Sequence, residues 1–574
     1  MGKSRLYSLL TQPILGVIAL IAVLLVMSLP GIHQPYHQDE YKWPLLVNPA
    51  LSAPGAIPHP PLGEFLYRQA GFIVGYDNFR VVPLFFSVLT LIMVFVVVRR
   101  RVSTRAAFLA MGVLCVSFYN ILASLMVDTD GQVLPFCMLL VVYAYDRLLG
   151  ASRGRPQVLW GGALLVAVVV GLLIKLSFII AIVAIACDFC WRLGLKSIFK
   201  QHWIKVIGGL VVLVGGVVGL VLVAALAVPS FNLERSLTYW LHFINFTDRN
   251  YLQIFVQCAK AAFYVSPLLV APLFLLRRQQ LPAVAVFIWY SIVGLGFYLV
   301  PFDFSVGALD RYFQFLIVPL GIIAGVVIDD LWRQLGTSSR KQLLLAFAIA
   351  AAVALALIAI QFFPHAVPPQ HPKAAWLNMF TSLRWNFVFP FSGGSGPLPF
   401  YVSFLFIAVS WITAAILCIL YRLSALKKYT YFILLPLLAI AIAYNGVFIE
   451  EYHLGKINGS AKSLVQELTT IIAQDDDIKM VTVYNDNGGY EVMQLNKYRK
   501  RLYVDPQFDI KEKVATLVQY KEHYLVINIP RLDPTSAYAA YFASCEIAYE
   551  RTSKKIVGNI YDCRRSDFTR DSYR

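Results

Sequence analysis

Stretches of about twenty apolar residues recur along this chain, and nothing else restricts its fold as much. They lie at 12–30, 79–98, 106–124, 131–149, 157–174, 176–191, 206–228, 258–276, 282–301, 312–331, 342–363, 399–420 and 430–448. A helix needs about 20 such residues to cross the hydrocarbon of a bilayer. The pattern therefore predicts a mainly α, polytopic membrane protein with about 13 transmembrane helices. The runs 157–174 and 176–191 are short and nearly continuous, so a re-entrant pair is the alternative there. Only 14% of the 574 residues are charged and 59% are hydrophobic, whereas a soluble chain carries about a quarter charged residues.

The charge that remains is ordered. Net charge is +17, but the basic residues fall in short clusters between apolar runs, which excludes a nucleic-acid surface. The clusters are Lys3 and Arg5; Arg99 to Arg101 with Arg105; Arg147, Arg153 and Arg155; Arg192 to Lys205; Arg277 and Arg278; Arg333, Arg340 and Lys341; and Arg422, Lys427 and Lys428. They follow every second run. Cytoplasmic loops carry the excess of Lys and Arg, so the N-terminus is expected in the cytoplasm, in a plasma (inner) membrane. No small-residue cleavage site follows the first run, which reads as an uncleaved span.

An odd number of spans then puts residues 31–78, 125–130, 229–257, 302–311 and 364–398 on the outer side of a membrane domain covering 1–449. These loops are dense in aromatics and prolines, a composition suited to interfacial helices at a lipid boundary. From Glu450 the composition becomes that of a soluble domain, 450–574, expected outside the cytoplasm or in the periplasm. Lys456–Ala473 reads as a helix, Met480–Tyr484 as a strand, Tyr490–Tyr498 as helical, Lys511–Tyr520 as a helix and Tyr524–Ile529 as a strand. The result is a small α/β domain. Six of the eight cysteines lie in apolar stretches, but Cys545 and Cys563 lie in this domain and can pair if it is exported.

Candidate chemistry gathers in the outer loops. Asp39-Glu40 follows the first span, and a carboxylate there can act as general base on a hydroxyl or simply be a solvated loop charge. Asp128 and Asp130 follow the third span. Either can face the same site, or Asp130 before Gly131 can cap the fourth helix. Lys175 interrupts an apolar stretch at the outer end of a hairpin. It can snorkel to the interface, or meet an anionic headgroup. Arg311 precedes Tyr312 at the start of a span and can clamp a phosphate, or pair with Asp303 or Asp310. Prolines at 58, 60 and 61 stiffen the return of the first loop. His242, His365 and His371 show no ligand spacing, so no essential metal is expected, a divalent ion remaining the alternative.

The order of these parts over residues 10–330 resembles the lipid-dependent membrane glycosyltransferases of the GT-C class. The likeness is to protein O-mannosyltransferases and to the transferase that places aminoarabinose on lipid A. It rests on Asp39-Glu40 after the first span, His59-Pro60-Pro61-Leu62-Gly63, the acidic motif at Asp128 and Asp130, Gly171 to Lys175, and Arg311-Tyr312 leading into Pro319. The resemblance implies inverting transfer of a sugar from a polyprenyl-phosphate donor at the outer face. It implies Asp39 as base, Lys175 and Arg311 on the donor phosphate, and Glu40, His59, Asp128, Asp130 and Tyr312 around the site. The aminoarabinose transferase has lysine where this chain has His59, and the C-terminal domain lacks a mannosyltransferase-type repeat, so the acceptor is open among glycan, lipid and protein. Two other readings stand beside this one. A flippase of lipid-linked sugars predicts charged or broken helices at mid-membrane, and the chain shows no internal repeat. A scaffold displaying the C-terminal domain gives no reason for the acidic loops.

Overall fold

The computed structural model describes residues 13–37, 39–49, 60–194, 249–302, 311–333, 339–364, 376–388, 400–423, 430–484, 486–495, 503–504, 521–529 and 536–569, with scattered positions in 215–247 and 532–534. Among these, nine helices are long and apolar enough to cross a membrane: Pro13–Gly31, Val81–Arg101, Arg155–Ile174, Leu176–Leu193, Arg278–Leu299, Tyr312–Arg333, Arg340–Phe362, Phe404–Arg422 and Tyr431–Leu454. Two bent pairs bring the number to eleven: Thr104–Val116 with Phe118–Leu125, turned by 69°, and Tyr251–Val265 with Pro267–Leu275, turned by 98°. The run at 131–149 forms the shorter helix Val133–Leu149, of 17 residues. The run at 206–228 lies largely outside the described residues. The runs 157–174 and 176–191 are two separate helices that meet at Lys175, each of spanning length.

The bends have local causes. Ser117 is extended (φ −72°, ψ 115°) between the first pair. Ser266 adopts φ +75° just before Pro267, whose ring cannot continue the preceding helix. Close packing needs small residues where helices cross. Gly325 of the helix Ile317–Arg333 shows this: a Cβ there would lie 2.5 Å from the Cα of Ala110.

The chain divides into two compact units. One comprises Met1–Leu29, Lys42–Ser338 and Ser424–Thr430; the other comprises Pro30–Tyr41, Ser339–Leu423 and Tyr431–Arg574. In the second, the helices Arg340–Phe362, Phe404–Arg422 and Tyr431–Ile449 pack together. The last runs on into a π-helical turn, Glu450–Leu454, closed by Gly455 at φ +55°.

Beyond that turn lies a five-stranded sheet built from β1 (Val481–Tyr484), β2 (Tyr503–Val504), β3 (His523–Ile527), β4 (Glu546–Ser553) and β5 (Ile556–Asp562). Their order across the sheet is β2-β1-β3-β5-β4. β1 pairs in parallel with β2 and β3, and β5 pairs antiparallel with β3 and β4. Leu468 and Ile472 of the helix Ala461–Gln474 pack on Val483, Leu525 and Ile560. Tyr538, Tyr541 and Phe542 of the helix Ala537–Ala543 pack in a second core with Tyr484 and Tyr524. Burying each such side chain contributes about 1.5–3 kcal/mol. Cys545 and Cys563 are joined by a disulfide, with Cα atoms 4.5 Å apart. The helix expected at Lys511–Tyr520 lies outside the described residues. β4 and β5 were not foreseen in the sequence.

Candidate active site

In the first unit, the chain leaves Leu125 and runs to Gln132 without regular structure, yet every residue of this loop is buried. A buried loop must satisfy its backbone polar groups from elsewhere. Arg80, 1% exposed, donates from Nη1 to the Leu125 carbonyl at 2.6 Å. The Tyr67 hydroxyl donates to the Asp128 carbonyl at 3.0 Å. The Leu134 amide donates to the Thr129 carbonyl at 3.1 Å, and the Thr129 amide to Asp128 Oδ1 at 2.6 Å. Gly131 is required here, because a Cβ would come within 2.9 Å of Gln314 Oε1 and 3.0 Å of the Ala123 carbonyl.

This loop brings together four of the residues singled out in the sequence. Lys175 Nζ lies 2.5 Å from Asp130 Oδ2, with side-chain exposures of 4% and 7%. Arg311 Nη1 lies 3.2 Å from Asp128 Oδ2, with exposures of 11% and 9%. Of the two readings open for Asp130, the helix cap is not the one seen: that helix starts at Val133 with Gln132 at its N-cap, and Asp130 turns instead to Lys175. Nor does Lys175 snorkel to the surface. It sits extended (φ −159°, ψ 134°) between two helices, buried against its carboxylate. Burial pulls its ammonium down, but Asp130 and Asp128 outweigh that, and its pKa is raised. Arg311 is paired with Asp128; Asp303 and Asp310 lie outside the described residues.

Tyr312 completes the group. Its hydroxyl accepts from Arg311 Nη2 at 3.0 Å, and its ring lies 4.8 Å from the Arg311 guanidinium and 6.0 Å from Lys175 Nζ. The Tyr298 ring lies 5.4 Å from it. Asp130, Ser177, Tyr290, Tyr298 and Tyr312 line a small cavity, and Asp130 Oδ1 has no hydrogen-bond partner among the described residues. Tyr67, Arg80 and Tyr298 were missed in the sequence. Arg80, a cation at the mouth of an apolar run, was the one signal available.

Asp39 and Glu40 belong to the second unit. Asp39–Tyr41 forms a single 3-10 turn. Glu40 is fully buried, and its Oε2 accepts from the His37 amide at 3.0 Å while its own amide donates to the His37 carbonyl at 3.2 Å. Asp39 is only partly buried. The two neighbouring carboxylates thus differ in burial: Glu40 is enclosed and closes the turn, whereas Asp39 keeps part of its surface exposed. His59 lies outside the described residues, as do His242, His365 and His371. Among the described residues no group of three His, Cys, Asp or Glu side chains is placed to hold a metal ion.

The family model described as "Dolichyl-phosphate-mannose-protein mannosyltransferase" matches residues 58–222, a stretch that holds Asp128, Asp130 and Lys175. No curated protein matches the sequence. Among solved structures, ArnT from Cupriavidus metallidurans in the apo state is similar over 95% of this chain and 97% of that chain, at 15% identity and a TM-score of 0.46. ArnT bound to undecaprenyl phosphate is similar over the same shares, at 14% identity and 0.46. The Archaeoglobus fulgidus oligosaccharyltransferase in the apo form is similar over 90% of this chain and 69% of that chain, at 11% identity and 0.39.

Proposed function

We propose that this protein is a membrane glycosyltransferase that takes a sugar from a polyprenyl-phosphate donor and passes it, with inversion, to an acceptor hydroxyl at the outer face of the membrane. The observation that carries this reading is the buried set Asp128, Asp130, Lys175 and Arg311. Such ion pairs gain little net stability, because desolvation offsets most of their attraction. Four charges retained at the ends of membrane spans are better explained by use. The family model matched over 58–222 is named for a lipid-phosphate-linked sugar donor, which suits two cations held side by side.

The chemistry follows from the leaving group. The bond from the sugar's anomeric carbon to the phosphate oxygen breaks, and polyprenyl phosphate leaves with the electron pair. Lys175 and Arg311 stabilise that charge, with Asp130 and Asp128 orienting them between turnovers. The acceptor oxygen attacks the anomeric carbon from the opposite face and gives its proton to Asp39. Asp39 suits this role better than Glu40, because it is the accessible carboxylate of the pair. Polyprenyl phosphate departs readily and asks for little acid assistance. The orientation belongs to the same proposal: N-terminus in the cytoplasm, and the disulfide-bonded C-terminal domain in an oxidising exterior or periplasmic space.

The test uses the full chain in membranes with a panel of synthetic polyprenyl-phosphate-linked hexoses and pentoses. Envelope glycans, lipids and proteins are compared by mass spectrometry with and without the chain to identify the acceptor. Asp39→Asn is expected to lower transfer about 10²–10⁴-fold with thermal stability unchanged. Full activity of that variant would remove Asp39 from its role. Uptake of the lipid-linked sugar into proteoliposomes with no covalent product would replace the transferase by a flippase.

A further inference from the structure

The turn that carries Asp39 is held from one side by the C-terminal domain, within the same compact unit. Tyr41, two residues after Asp39, is 2% exposed, and its hydroxyl donates to Asp486 Oδ2 at 3.3 Å and Oδ1 at 3.5 Å. Its ring stacks on Tyr490, with centroids 6.1 Å apart and planes 21° from parallel. Tyr36, on the other side of the turn, packs on the same Tyr490 ring at 5.1 Å. Gln34 Nε2 donates to the Tyr452 carbonyl at 2.6 Å.

Asp486 is an unusual residue to find at this contact. It follows β1, is fully buried, and adopts φ +57°, in the left-handed region that few residues other than Gly, Asn and Asp enter. The local sequence offers glycine at 488 and 489, and Gly488 itself takes φ +81°. A fully buried carboxylate set against a tyrosine hydroxyl 445 positions away points to a role for the carboxylate itself.

We propose that Asp486 is a positioning residue: it fixes Tyr41, and through Tyr41 the turn that presents Asp39. This rests on the reading of Asp39 as base. The C-terminal domain then supplies part of the order of the catalytic loop, beyond any part it has in binding an acceptor. Preorganising a base in this way changes the chemical step rather than donor binding.

The substitutions separate backbone strain from the hydrogen bond. Asp486→Gly relaxes the left-handed backbone but removes the acceptor, whereas Asp486→Asn keeps both the conformation and an acceptor oxygen. In the full chain, Asp486→Gly and Tyr41→Phe are each expected to lower kcat about tenfold, using the donor of the synthetic panel that the wild type turns over. KM for the donor should stay unchanged, and the double variant should be no worse than either single one. Asp486→Asn should recover most of the rate. Hydrogen exchange of the 31–41 peptide should quicken about tenfold in the Gly and Phe variants and not in the Asn variant. Wild-type rates and wild-type exchange in Asp486→Gly, or additive losses in the double variant, would overturn the proposal. If Asp39→Asn transfers normally, the base assignment fails on its own, and the exchange measurement still decides whether Asp486 holds the loop.

Discussion

The two units bury carboxylates by different means. In the first, opposite charge does the work: Lys175 on Asp130, Arg311 on Asp128, Arg101 on Asp146 and Arg105 on Asp329. In the second, neutral donors are prominent. Glu451 accepts from the side-chain amides of Gln361, at 2.8 Å, and Asn458. Glu40 accepts from the amide of His37 at 3.0 Å. The difference is in what a loss leaves behind. Removing one ion of a buried pair strands the other, whereas removing a charge from a set of neutral donors leaves dipoles that a neutral acceptor still satisfies.

The sharpest way to break this contrast is Lys175→Met. It leaves Asp130 buried without its cation and should cost about 3–5 kcal/mol, read as a lowered midpoint of thermal unfolding in detergent. Adding Asp130→Asn should restore most of the stability, but transfer should stay lost, because the cation proposed to meet the donor phosphate is still missing. Recovery of both would make the pair purely structural. A smaller effect is expected from Glu451→Gln, which keeps an acceptor for Gln361 and Asn458: a cost of about 1 kcal/mol or less, read in the same assay. If Lys175→Met is as mild as Glu451→Gln, the two units do not differ in the way described.

The smallest effect lies on the exposed side of the C-terminal sheet, where burial no longer amplifies charge. Bidentate hydrogen bonding from Arg564 holds the Asp562 carboxyl down, at about 2. A carboxylate lowered on folding contributes stability above its unfolded pKa, near 4, and loses that contribution as pH falls toward 2. Asp562→Asn should therefore flatten the acid limb of the stability curve between about pH 4 and 2 and leave neutral stability within about 1 kcal/mol.

Most of the membrane fold was legible because its signal is local. An apolar run such as 81–101 has few alternatives to a helix, since every backbone group in a bilayer must be satisfied within its own segment. In the C-terminal domain β1 and β3 were legible as continuous apolar runs, and both are fully buried. β4 was not: Glu546–Ser553 is mostly exposed and carries charged residues along its length, so it shows no apolar alternation and depends on β5 for its pairing. Within the candidate site, residue types were readable but partners were not. Asp130 before Gly131 has the local form of a helix cap, and only Lys175, 45 positions on, draws it away.

By itself the sequence determined that the chain spans a membrane many times, that carboxylates stand in loops between apolar runs with a lysine and an arginine at the ends of others, and that a soluble α/β domain follows. These depend on composition and period, which act over tens of residues. The tertiary structure decided which carboxylate meets which cation, that Glu40 closes its turn while Asp39 stays accessible, and that Asp486 reaches Tyr41 across 445 positions. Such pairings depend on a few ångströms of approach between distant segments. In a buried setting those ångströms set whether a charge is compensated, a consequence that no local pattern encodes.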